Sequence, residues 1–199
     1  METLFSGIEM WSWYSEEKGM NFNGYLIGQG KERVVIDPPQ MTIDDKQDLS
    51  IDGAKAVILT NRDHIREAKE CRLLLNTKVW APEADAPEMG SVTIDQTYKD
   101  GDLLPSGLKA VSIPNGKSPG ESALYLNQHG GIFILGDALV GMPEGTLRLL
   151  SPDKYTDVKK AKEGLRRLLD YEFEIVLVSD GKPILSGGKK AVEAFLNRG

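Results

Sequence analysis

Four stretches of this chain end an apolar run with a polar turn that carries chemically active side chains. Ala56 to Thr60 stops at Asn61-Arg62-Asp63-His64, and a polar helical pattern follows directly. Leu108 to Ile113 breaks into the Pro114 to Glu121 loop, which holds Lys117; Ile132 to Leu135 ends at Gly136-Asp137, and Glu174 to Val178 ends at Ser179-Asp180-Gly181. A turn just past the carboxyl end of a buried strand can aim several side chains at one point, and open α/β layers tend to place their chemistry there. Carboxylates and an imidazole are donors for a hard or borderline divalent ion, while a lysine can hold an anionic group or stabilise a developing oxyanion. His64 is one of only two histidines; the other, His129, falls at a hairpin tip and is assigned no function.

Each of these residues also has an ordinary structural reading. Asp63 could cap the helix that starts near His64, its carboxylate accepting backbone N–H bonds. Asp137 and Asp180-Gly181 could be turn formers, and Lys117 and Lys182, taken singly, read as solvated loop lysines.

The elements that must position these turns are held in 199 residues, 40% of them hydrophobic, enough for one large core or two small ones. No Pro, Ser or charge-rich linker divides the chain, so a single domain over 1–199 is expected. A net charge of -6 and a pI near 5.1, with no basic stripe, argue against a nucleic-acid or anionic-membrane surface and for a small-molecule substrate. The single cysteine, Cys71, excludes an internal disulfide and reads as core filler. No basic start with a long apolar run opens the chain, and no stretch of 18 apolar residues occurs, so a cytoplasmic protein without a membrane span is expected. Met142 and Leu147, apolar residues in a loop, are candidates for a homodimer contact.

In order, the patterning predicts strands over Leu4 to Tyr14, Phe22 to Ile27 and Arg33 to Asp37, the last stopped by Pro38-Pro39. Ile43, Leu49 and Ile51 suggest one face of a short helix. A strand-helix-strand unit spans Ala56 to Ala81, with its helix over Ile65 to Leu75. Short strands follow over Val92 to Leu104 and Leu108 to Ile113, then a hairpin of Ser122 to Leu126 and Ile132 to Leu135. Ala138 to Leu150 has no firm period. Lys154 to Asp170 is the longest helical pattern, followed by a buried strand over Glu174 to Val178 and a closing helix over Gly188 to Asn197.

This order, with its strand-end motifs, resembles the metallo-β-lactamase superfamily, whose members include glyoxalase II-like hydrolases. The opening N-x-Y-L-I is Asn23-Gly24-Tyr25-Leu26-Ile27, and the second strand's I-D is Ile36-Asp37. The metal motif T-H-x-H-x-D-H follows a strand like Val57-Ile58-Leu59-Thr60, the P-G-H-T-P-G-S loop looks like Asn115 to Glu121, the G-D is Gly136-Asp137, and the late G-H-G matches Ser179-Asp180-Gly181. The metal motif, the P-G-H loop and the late G-H-G are degraded, but all six motifs occur in the right order over nearly the whole chain.

The resemblance implies an α/β fold, the four-layer αββα sandwich, and metal-dependent hydrolysis. It also implies where the chemistry departs. Lys117 stands for the histidine of P-G-H and Asp180 for the late histidine. Without a gap, Asn61 and Asp63 replace H-x-H, and Ile65 and Arg66 replace D-H; with a two-residue deletion, Asp63-His64 retain D-H. The deletion is preferred, because it keeps the following helix and the strand through Trp80 at their usual separation. Under it Asp63, His64, Asp137 and Asp180 would hold one divalent ion (zinc, iron or manganese) that lowers the pKa of a bound water to roughly 7. Lys117 would take the place of the second ion, and Asp63 and Lys117 would serve catalysis on an ester, thioester or similar bond. The alternative is a relative that holds no metal, has lost hydrolysis, and binds a small anionic ligand through Lys117.

Overall fold

The computed structural model describes residues 1–198. Its first departure from the sequence pattern is at the start, where Gly7, at φ 77°, turns the chain so that the expected first strand becomes two, β1 (Glu2–Phe5) and β2 (Ile8–Ser15). Then come β3 (Met20–Ile27), β4 (Val34–Ile36), α1 (Ile43–Asp52), β5 (Ala56–Ile58), α2 (Ala68–Leu75), β6 (Lys78–Pro82) and β7 (Gln96–Tyr98). The second half holds β8 (Lys109–Ser112), β9 (Ser122–Leu126), β10 (Ile132–Leu135), α3 (Val158–Gly164), β11 (Ile175–Val178) and α4 (Gly188–Asn197).

β1 to β7 form one sheet in chain order, antiparallel as far as β4 and parallel from β4 to β7. The other sheet runs β11-β10-β9-β8, its β10–β11 pair parallel. Successive side chains of a strand point to opposite faces, so Ile36 and Ile58 meet Leu124, Ile134 and Leu177 between the sheets, while Val35, Val57 and Val79 pack outward with Leu49, Ala68 and Cys71 of α1 and α2. On the far side Phe133, Val176 and Val178 pack with Leu165, Val192 and Phe195. Helices thus cover both outer faces, the four-layer αββα sandwich, and each buried Val, Leu or Ile contributes about 1.5–3 kcal/mol.

Several predicted elements shift. α1 forms, yet Ile43 and Ile51 are exposed and only Leu49 is buried; Leu49 and Ile51 stand about 200° apart on a helix and cannot share a face. The helix after the polar turn begins at Ala68, because Arg66 adopts φ 36°. The 154–170 pattern is a short α3 followed by a 3-10 run, Leu165–Asp170. At their junction Gly164 packs on the Pro114 carbonyl, where a Cβ would stand 2.0 Å from oxygen. Only Gln96–Tyr98 forms a strand within 92–104. Leu147 is buried in the outer core of the second sheet, so it offers nothing to a dimer contact. Among the described residues no helix is long and apolar enough to cross a membrane.

Side-chain hydrogen bonds, between the sheets from Tyr25 and Asn23 and within the first sheet from Tyr98, lock the strand ends together. Tyr25 Oη donates to the Val178 carbonyl at 2.6 Å, the Asn23 side chain to those of Val178 and Gly181 at 2.8 Å each, and Tyr98 Oη to that of Leu59 at 2.6 Å. Asp85 is fully buried; it accepts from Arg62 N, Ser118 Oγ and Gly120 N at 2.6–2.9 Å, tying the 61–64 turn to the 114–121 loop. All four polar turns therefore meet at one edge of the sandwich.

Candidate functional site

Asp37 is the hub of that edge. It ends β4 at φ 45°, fully buried, and accepts from Thr60 N (2.9 Å), Thr60 Oγ1 (2.6 Å), Ser179 Oγ (2.7 Å) and His64 Nδ1 (2.8 Å). One carboxylate thereby joins the ends of β4, β5 and β11 and fixes the His64 ring. His64 itself lies in a 3-10 turn, Arg62–His64, capped by Asn61, whose Oδ1 accepts from Asp63 N at 2.8 Å. Asn61 Nδ2 donates to both Glu121 carboxyl oxygens at 3.3 Å.

Two fixed cations reach into the same space. Arg66 Nη2 lies 2.5 Å from Asp180 Oδ1 and 3.3 Å from His64 Nε2, and its guanidinium stacks 4.4 Å over the Phe22 ring. Lys117 Nζ lies 2.8 Å from Asp137 Oδ2 and 3.0 Å from Asp63 Oδ2. His64 Nε2 faces Asp137 Oδ1 at 3.4 Å.

Burial and the Arg66 charge oppose protonation of His64, yet the Asp137 and Asp37 carboxylates prevail and hold it up at about 10, an imidazolium at neutral pH. Burial likewise works against ionised Asp137, but His64 and Lys117 keep it well below the usual carboxylate range. Asp37 is lowered, against its own burial, by His64 and its hydrogen bonds. Lys117 is raised because Asp137 and Asp63 outweigh desolvation. Glu121 is the exception: burial first, then the Asp137 charge, push it well above its ordinary value.

The four residues expected to hold an ion are thus divided. His64, Asp137 and Asp180 are buried and present donor atoms within 4.8 Å of one another. Asp63 lies outside that group, its side chain 44% exposed and turned to Lys117. The donors are right in kind for a divalent ion, but two of the three already carry a fixed cationic partner, Lys117 on Asp137 and Arg66 on Asp180. The hub Asp37, Arg66 and Glu121 were not singled out as site residues by the sequence; the signals for them were a carboxylate closing a buried strand before Pro38-Pro39 and an arginine in the degraded motif itself.

Above this floor opens a cavity of about 540 Å³. Arg66 and Lys117 form its base, Lys18, Arg148 and Lys154 its outer wall, and Met20, Phe22 and Leu150 an apolar side. Five Lys or Arg line it in a chain whose net charge is -6. The base cations are spent on carboxylates, whereas Arg148 makes no ion pair among the described residues and Lys18 and Lys154 pair only with exposed neighbours, Glu17 and Asp153.

A family model described as the metallo-beta-lactamase superfamily matches residues 4–197. Solved structures agree at the level of fold. A metallo-beta-lactamase from Hirschia baltica shares 17% identity at a TM-score of 0.72, covering 99% of this chain and 96% of its own. One from Pontibacter korlensis shares 17% at 0.74, covering 98% and 97%. FIM-1 from Pseudomonas aeruginosa, solved in a mono-zinc form, shares 14% at 0.72, covering 97% and 92%. No curated protein sequence matches the chain.

Proposed function

This chain belongs to the metallo-β-lactamase superfamily, and we propose that it is a member in which side-chain cations take the place of metal ions and the cavity above them binds a small organic anion. One observation carries the reading: Lys117 sits on Asp137 at 2.8 Å and Arg66 on Asp180 at 2.5 Å, so two of the three buried donors that an ion would use are already neutralised by fixed charges. Desolvated ion pairs of this kind are lost only at a cost, which favours keeping them over admitting an ion. The floor then serves as a rigid, charge-balanced base, and the unspent cations on the wall supply the attraction for an anion.

The test is metal analysis of full-length protein purified with zinc, manganese or iron supplied, joined to calorimetric titration with small carboxylates and phosphate esters. Substoichiometric metal together with anion binding that weakens as salt is added is expected. One firmly held ion per chain, with no anion binding in its absence, would sink the reading.

A second reading is favoured by the 4.8 Å grouping of His64, Asp137 and Asp180 and by the mono-zinc form of the FIM-1 relative. In it the chain is a one-ion hydrolase of a small ester or thioester, loaded after Arg66 leaves Asp180 and His64 gives up its proton. Metal-stimulated ester hydrolysis that is abolished by a chelator distinguishes it.

A further inference from the structure

The apolar side of the cavity continues past its edge. Met20 lines it and also lines a second cavity of about 260 Å³, walled by Tyr14, Met142 and Pro143 together with Gly141 and Gly181. This second space is framed by backbone bonds from Gly181 N to Asn21 O (2.8 Å), Lys182 N to Gly141 O (2.8 Å) and Gly141 N to Asp180 O (3.0 Å). Its lining carries two charged groups of opposite sign, Glu144 and Lys182, and is otherwise neutral. The two spaces touch at a second point: Arg148, on the wall of the first, lies with Nη2 3.7 Å from Sδ of Met142, on the wall of the second. A cation free of any carboxylate therefore stands at the doorway of an apolar chamber.

Resting on the anion-binding reading above, we propose that the two cavities form one site for an organic anion with an unbranched apolar tail. A carboxylate or phosphate-ester head would lie against Arg148 and Lys154, and a hydrocarbon chain would run past Met20 between Tyr14 and Met142. The head gains from cations that no protein carboxylate of the floor neutralises. The tail gains by leaving water for a surface of aromatic, thioether and pyrrolidine groups, and flexible methionines on both sides of the doorway adapt to chains of different length.

The experiment is calorimetric titration of the full chain with butanoate, octanoate, octyl phosphate and octyltrimethylammonium. Octanoate is expected to bind at least tenfold more tightly than butanoate, octyl phosphate comparably to octanoate, and the ammonium not at all. Tyr14→Ser, which removes apolar wall from the second cavity without placing a charge beside Arg148, should narrow the advantage of octanoate over butanoate severalfold. Arg148→Gln should weaken both carboxylates by about tenfold; Lys154→Gln, on an exposed turn where folding is not at stake, should weaken both severalfold. Equal affinities for butanoate and octanoate would overturn the tail and leave the anion reading standing. Binding of octyltrimethylammonium as tight as that of octanoate, or no binding of any of the anions, would overturn both.

Discussion

On the reading proposed above, replacing Arg66 by alanine should open the site to a metal ion. The Arg66 and Asp180 side chains are 14% and 9% exposed. Breaking a fully buried pair costs about 3–5 kcal/mol; with this much solvent access about 2–3 kcal/mol is the better figure, and the lost stacking on Phe22 adds about 0.5–1 kcal/mol. A loss of about 3 kcal/mol in a chain of this size lowers Tm by about 6–12 °C. The variant leaves His64, Asp137 and Asp180 within 4.8 Å with one cation fewer. Zinc at a hundred times its Kd then returns about 2.7 kcal/mol, nearly the whole deficit, so zinc should raise the Tm of Arg66→Ala almost to the wild-type value and leave the wild type unmoved. Cobalt supplies the second readout, a visible ligand-field spectrum at one ion per chain in Arg66→Ala that disappears when Asp180→Asn is added. An equal zinc-induced rise in the wild type would show that Arg66 is no barrier. A folded Arg66→Ala protein that takes up no ion would show that the donor spacing is not that of a metal site.

Three further outcomes follow from the same network. Because His64 is raised from 6.5 to about 10, its stabilisation is complete below pH 6.5 and lost as the pH rises through 10; Asp37→Asn should move its titration back toward 6.5 and flatten the fall in stability between pH 7 and 10, measured by urea unfolding and imidazole nitrogen shifts. Lys117→Met strands the buried Asp137 charge and should cost about 2–3 kcal/mol, with a coupling of at least about 1 kcal/mol in a double-mutant cycle with Asp137→Asn. In Gly136→Ala the new Cβ would stand 2.2 Å from Thr60 Oγ1 and 2.8 Å from Asn61 Nδ2, a cost of about 2–3 kcal/mol by chemical denaturation, whereas Gly90→Ala meets nothing within 4 Å and should stay within about 0.5 kcal/mol.

The layered fold was legible because its signals are local and repeated: short apolar runs, each closed by a polar turn, alternate with helical patterns, and Val35-Ile36 or Val57-Ile58 show by composition alone that both faces of these strands are covered. What failed to be legible depended on single backbone angles or long-range contact. No pattern announces that Arg66 will adopt φ 36° and delay α2 to Ala68, or that Gly164 will be pressed against the Pro114 carbonyl. The hub role of Asp37 was invisible for the same reason, since its four partners come from Thr60, His64 and Ser179, up to 142 positions away.

Arg66 also explains why neither way of matching the polar turn to the family motif was sufficient. The ungapped match places Asp63 and Arg66 at ligand positions, and each does meet the residue that replaces its fellow ligand, Asp63 facing Lys117 and Arg66 facing Asp180. The gapped match places His64 there, and His64 faces Asp137 with Asp180 within 4.8 Å. His64 and Arg66 approach one point from the same turn, their nitrogens 3.3 Å apart, with carboxylates on either side. Asp37 and Asp137 flank His64, and Asp180 flanks Arg66. The charges therefore depend on one another: removing either cation leaves carboxylates that repel, and inserting an ion beside both cations adds positive charge where it is already balanced. On the reading proposed above, a divalent ion and Arg66 compete for one place, and the arginine lies in the very turn that carries the family's metal motif.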